Sequence, residues 1–220
     1  MPADEVPGRT RMRRPGEAGR VRTAVVALTI ATLLTAALNA ALAPGKRPVE
    51  FELAPDAGAL RGLEAIESQT YADFVFIGAY TALWGVMATA IHPSLTAVAI
   101  AAGLADVVEN IAILRAIRRK DRTDDDARRI RVPSSIKWAL LAMLWIALAF
   151  VPASLVANLA GRVVIRVSYL VAAAACLTGL AVSRPDLVGR SVRPVFVALL
   201  TQLIALYAAR PRSAPMRAAS

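Results

Sequence analysis

Residues 71–113 read YADFVFIGAYTALWGVMATAIHPSLTAVAIAAGLADVVENIAI. Two apolar runs meet at His92-Pro93, a turn signal, and each is close to the roughly 20 residues that carry an α-helix across a hydrocarbon core. Inside lipid every backbone N–H and C=O must be paired within the segment, and the period-two alternation of a membrane barrel is missing, so both runs are helices. The stretch is therefore a transmembrane hairpin.

The same kind of block recurs along the 220 residues, of which 57% are hydrophobic, above the roughly 45–50% of soluble domains. Spans are predicted at 21–43, 73–91, 94–114, 136–158, 163–183 and 193–209. The fold class is all-α: a polytopic membrane bundle, 21–209, of about six transmembrane helices. The tails 1–20 and 210–220, rich in Arg, Pro and small residues, are expected to be disordered. The first block also resembles a signal peptide, with Ala41-Leu42-Ala43 as a cleavage site. Its apolar run exceeds the usual 7–15 residues, and Pro44 follows the site directly, so a retained helix is expected.

Between the blocks, Val49-Glu50-Phe51-Glu52-Leu53 alternates like a short strand. Leu60, Leu63 and Ile66 repeat every three residues, as in a short amphipathic helix lying on the membrane surface. The stretch 115–137 reads as the most charged loop, closed by Pro133 and two serines that cap the next helix; Asp124-Asp125-Asp126 within it reads as solvated loop without calcium-loop spacing. The last block is short and reaches membrane length by extending back through Ser191–Arg193.

The formal net charge is +10, but the basic residues lie at block ends, where Lys and Arg set topology and meet lipid phosphates. That placement argues against nucleic acid and for membrane lipids as partners. Arginines flanking the first helix put the N-terminus in the cytoplasm, whereas the basic 115–137 stretch argues the reverse. With a single cysteine, Cys176, and a single histidine, His92, there is no intrachain disulfide and no cysteine-based metal site. No metal and no cofactor is predicted, for there is no phosphate-cradling glycine loop, nucleophile elbow or zinc-protease motif. Thr32, Thr35 and Asn39 share one face of the first helix, a weaker polar feature. Trp138 and Trp145 fit an interfacial belt or helix packing.

The chemistry-bearing residues sit in the opening hairpin. Asp73, Tyr80 and Trp84 fall within about 40° of one another on the first of its helices. Asp106, Glu109 and Asn110 stand at i, i+3 and i+4 on the other, so they share a face, which Ala99 and Gly103 continue with small residues. Counting outward from His92 sets Asp73 level with the Glu109–Asn110 turn and Tyr80 level with Gly103. Lys137, opening the following helix from the same side, comes within reach of Asp106 or Glu109. An ionisable residue inside a membrane helix costs roughly 2.5–3.5 kcal/mol on insertion scales, so such a group calls for partners. Asp106 and Glu109 are the candidate acid–base pair, and Asp73, Tyr80, Asn110 and Lys137 the candidate ligand-binding residues.

At these motifs the chain resembles a group of small bacterial membrane proteins with no assigned activity. Their shared pattern is Asp-Phe-x-Phe with a Tyr seven residues after the Asp, then Ala-Asp-x-x-Glu-Asn, with a Lys often opening the next helix. Here these are Asp73, Phe74, Phe76, Tyr80, then Ala105, Asp106, Glu109, Asn110, and Lys137. The resemblance covers roughly residues 60–140 and implies a multi-pass protein of a bacterial plasma membrane; the strongly basic 115–137 stretch departs from the pattern. Three functions fit the residues: an acid–base enzyme on a lipid-like or small apolar ligand, a proton-coupled transporter, and a structural protein whose polar cluster clamps helices.

Overall fold

The computed structural model describes residues 15–42, 48–150 and 159–208. It contains α1 (Pro15–Leu42), a short α2 (Pro48–Glu52), 3₁₀ turns at Gly58–Leu60 and Leu63–Ile66, α3 (Glu67–Ile91), α4 (Pro93–Ile117), α5 (Asp124–Leu148), α6 (Leu159–Ala181) and α7 (Pro185–Ala208). Among the described residues there is no strand. Six helices, α1 and α3 to α7, are long and apolar enough to cross a membrane. The expected disordered tails lie outside the described residues, apart from 15–20, which belong to α1.

Burial runs opposite to that of a soluble protein. Leu104 and Ile204 are 61% and 67% exposed, whereas Lys137 and Glu109 are 4% and 1% exposed. Apolar side chains outside and charged ones inside are what a lipid solvent selects. Neighbours in sequence pack as neighbours in space: α3 on α4, α4 on α5, α5 on α6, α6 on α7, with α1 laid against α3. Two features let the backbones approach. A side chain at Gly103 of α4 would overlap Thr81 of α3. At the α6–α7 turn Ser183 takes φ 53°, and a Cβ at Gly179 would stand 2.8 Å from the Val188 backbone nitrogen.

Local chemistry explains the ends. Pro93 opens α4 where a missing N–H costs nothing, and the His92 ring accepts from the Ser94 N–H. Thr123 and Asp126 form a reciprocal capping box at the start of α5, with Asp124, Asp125 and Asp126 placed at the positive end of the helix dipole.

Several expectations are corrected. Residues 49–52, read as a strand, are the helix α2, because one face of the segment docks on the bundle instead of pairing with another strand. The 60–66 repeat is not one amphipathic helix but falls in two 3₁₀ turns. Leu60, Leu63 and Ile66 are buried against Ala54, Ile113, Ala116, Ala127 and Ile130, so α4 and α5 cover them. The charged loop shrinks to 118–123, since α5 starts at Asp124 and carries Pro133 in its interior. The Thr123 cap lies eleven residues before Ser134, the first of the two serines expected to cap the helix; Ser134 instead donates to the Ile130 carbonyl. Asp126 is buried and paired with Arg119, not solvated. The seventh helix extends back to Pro185, with Pro194 inside it.

Candidate functional site

The centre of the bundle is Lys137. Its Nζ donates to Glu109 Oε1 at 2.8 Å, Asp106 Oδ1 at 3.0 Å and Glu52 Oε2 at 3.1 Å, all buried. It also stands 5.0 Å from the Trp138 ring centroid, a cation–π contact. The i, i+3 spacing on α4 brings both of that helix's carboxylates to one ammonium. The third carboxylate arrives on α2, which seats against α7 because Gly189 leaves room for Val49; a Cβ there would stand 2.9 Å from Val49 Cγ1.

A second layer surrounds this centre. The Tyr80 hydroxyl donates to Asp106 Oδ2 at 2.6 Å, so Asp106 receives donors on both oxygens. Asp73 likewise accepts on both, from Asn110 Nδ2 at 2.9 Å and from Asn39 Nδ2 at 2.7 Å. The Trp138 indole N–H donates to Glu52 Oε2 at 2.8 Å. Glu109 keeps one oxygen, Oε2, buried without a hydrogen bond. Charged hydrogen bonds in a low-dielectric interior are strong when complete and costly when one member is lost, so the network holds each polar group in one geometry.

The network borders open space. A chamber of about 130 Å³ is lined by Asp73, Asp106, Lys137 and Glu52. Phe76, Tyr80, Trp84, Trp138, Trp145 and Phe196 give the same chamber an aromatic lining. Five of these rings, Phe76, Tyr80, Trp84, Trp145 and Trp138 in that order, form a chain with centroids 4.8–6.4 Å apart in tilted or edge-on contact. Half of the twelve aromatic residues in the chain, and all three tryptophans, therefore face one small space. A wider vestibule of about 470 Å³ between the C-terminal part of α1 and the N-terminal part of α7 shares Glu52, Asp73, Phe76, Trp138, Val192 and Phe196 with it. At the other end of this helix pair the Arg22 guanidinium donates to the Leu206 carbonyl and ties α1 to α7.

The six residues singled out from the sequence fall into two hydrogen-bonded groups: Tyr80, Asp106, Glu109 and Lys137 in one, and Asp73 with Asn110 in the other, with Asp73 and Asp106 lining the same chamber. They differ in position, since Asp106, Asp73, Tyr80 and Lys137 line the chamber while Glu109 and Asn110 do not. Sequence reasoning missed Glu52 and gave Asn39 little weight. The signal for Glu52 was arithmetic: a lysine buried in a membrane helix needs carboxylates, and an acidic residue 85 positions away supplies one. Among the described residues no group of His, Cys, Asp and Glu is arranged to hold a metal ion.

The six apolar helices with charged groups turned inward define a polytopic α-helical membrane protein. No known protein family, curated protein or solved structure matches the chain.

Proposed function

We propose that the cluster is an acid–base site for a lipid-like ligand, which enters through the vestibule between α1 and α7 and presents its reacting group in the aromatic chamber. The observation that carries this reading is the position of Asp106. Asp106 borders the chamber, and Tyr80 and Lys137, which line it too, each hold one of its two oxygens. A carboxyl group held in place at an aromatic-lined space can give or take a proton, and the surrounding rings and carboxylates favour positive charge developing on the ligand. Asp106 and Tyr80 are the groups that would touch the ligand. Glu109, behind Lys137, would set the position and charge of the ammonium, and Asn110 would orient Asp73 at the chamber edge.

The test is a lipid profile of cells lacking the protein, rescued with wild type or with Asp106→Asn at matched abundance. The reading expects a lipid species that wild type restores and Asp106→Asn does not. Identical profiles in all strains would overturn it. A structural reading draws on the same ties, because Lys137, Asp73 and their partners join α1, α2, α3, α4 and α5. In that case Asp106→Asn would lower melting temperature and abundance while leaving every lipid unchanged.

A further inference from the structure

The outer face of the α4–α5 hairpin carries a groove that shares no residue with the chamber or the vestibule. It encloses about 340 Å³, within the roughly 300–1,000 Å³ of small-ligand pockets. Val108, Ile111 and Ala112 of α4 form its apolar part, and Arg115, Arg119 and Arg129 bring three guanidinium groups to it. The chain sets their order. Val108 and Ile111 lie toward the middle of α4, and Arg115 stands in its last turn, ~10 Å along the axis from Val108. Arg119 follows in the turn to α5. The groove is thus apolar toward the middle of the span and basic toward the 118–123 turn.

The guanidinium groups are open to another acceptor. Arg115 is exposed and has no acidic partner among the described residues. Arg119 gives Nη1 to Asp126 and Arg129 gives Nε to Asp125, so each keeps further N–H donors. The acid of the groove, Asp126, is buried and occupied: Oδ1 accepts from Arg119, and Oδ2 from the Thr123 N–H and hydroxyl. The apolar part, in turn, continues along the membrane. Leu104, Val108, Ile111 and Arg115 recur at i, i+4, i+7 and i+11 on α4, all exposed. Arg129, Val132 and Ile136 recur at i, i+3 and i+7 on α5, also exposed. Each helix therefore presents an apolar stripe ending in an arginine, and the groove is where the two arginines share one space.

We propose that the groove binds an anionic phospholipid, with its phosphate on Arg115, Arg119 and Arg129 and its acyl chains along the apolar stripes of α4 and α5. A water-soluble anion would leave the apolar part unused, and an apolar ligand would leave the guanidinium groups without an acceptor. A phospholipid satisfies both. Arginine presents several N–H groups in one plane, a match for phosphate oxygens. The head group carries no cation of its own, because an ammonium would sit among three arginines, with Arg118 and Lys120 in the adjoining turn. This site does not rest on the acid–base reading, since none of its residues borders the chamber.

The experiment uses the full chain in nanodiscs of equal parts phosphatidylglycerol, phosphatidylethanolamine and phosphatidylcholine, so that both leaflets hold the anionic lipid. Lipid retained after detergent extraction is counted by native mass spectrometry. Wild type is expected to retain phosphatidylglycerol about tenfold over each of the others, which corresponds to ~1.4 kcal/mol. Arg115→Gln and Arg129→Gln are each expected to cut that preference about fivefold, the factor that one basic residue supplies toward an anionic surface. Arg115 is unpaired and Arg129–Asp125 is a surface pair, so both variants are expected to melt with wild type. Arg128→Gln removes the same charge one residue away, outside the groove, and is expected to leave the preference within about twofold. An equal loss there would reduce the effect to diffuse surface charge and overturn the site. Soluble glycerol phosphate, a head group without chains, is expected to leave the bound lipid in place. Displacement at equal molar ratio would show a site for a free anion and overturn the lipid. Equal retention of the three lipids, or preference for a zwitterionic one, would overturn the assignment altogether.

Discussion

Lys137 shows how a charged residue becomes obligatory in this interior. Its ammonium neutralises part of three buried carboxylates, so Lys137→Met would leave them facing one another without a cation. Removing one member of a buried ion-pair network costs about 3–5 kcal/mol, and the expected outcome is a large loss of melting temperature in detergent and of folded protein in the membrane. A variant that melts with wild type would show that the carboxylates hold their own protons. Tyr80→Phe is a milder change. The ring contacts with Phe76 and Trp84 remain, while Asp106 loses its 2.6 Å donor. Thermal unfolding should show a cost of about 1.5–3 kcal/mol, the range for hydrogen bonds to charged groups. How much of this was legible in the sequence depended on local counting. Asp73 and Asn110 could be paired by their nearly equal distances from His92, and Asp106 with Glu109 by helical spacing. Glu52 could not be placed this way, because the segment that bears it has no periodicity tying it to a helix face and reaches Lys137 only through the docking of α2 on α7.

Among the elements, the helix hairpin α3–α4 was readable because its two spans are long, uniformly apolar and punctuated by a single Pro. Its close packing has one weak point. Gly103 faces Thr81, and any side chain there has to displace it. Gly103→Val is expected to destabilise the protein by about 1–3 kcal/mol, as overpacking does. Combining it with Thr81→Ala should recover part of the loss in a double-mutant cycle; strict additivity of the two changes would show that the helices do not meet at this pair. The start of α5 was read too late because Pro133 and two serines outweighed Thr123-Asp124-Asp125-Asp126. Tertiary cover by the 54–66 segment and the capping box both favour the longer helix. Thr123→Ala should cost about 1 kcal/mol in thermal unfolding, which would confirm the cap as the helix start.

At the scale of the molecule, six spans put the His92 turn on the same face as the start of α1, and the 118–123 turn, α2 and the mouth of the vestibule on the other. Positive charge pulls both ways. Arg20 and Arg22 open α1, while Arg115, Arg118, Arg119, Lys120 and Arg122 crowd the opposite face. The second group is engaged: Arg119 pairs with Asp126, and Arg122 with Glu64 and the Leu60 carbonyl. The count of Lys and Arg favours the second face, but the first helix usually dominates topology, so the arginines at α1 are expected to hold the N-terminus in the cytoplasm. Single cysteines at His92 and Lys120, in a Cys176→Ser background, check this with a membrane-impermeant maleimide. Labelling of Lys120→Cys in intact cells, and of His92→Cys only after permeabilisation, is the expected pattern. It would place the vestibule on the outer leaflet, so that any lipid it takes comes from that side. The reverse pattern would make the basic 118–123 turn the topological determinant and turn the vestibule toward the anionic lipids of the cytoplasmic leaflet, so that any lipid it takes comes from there.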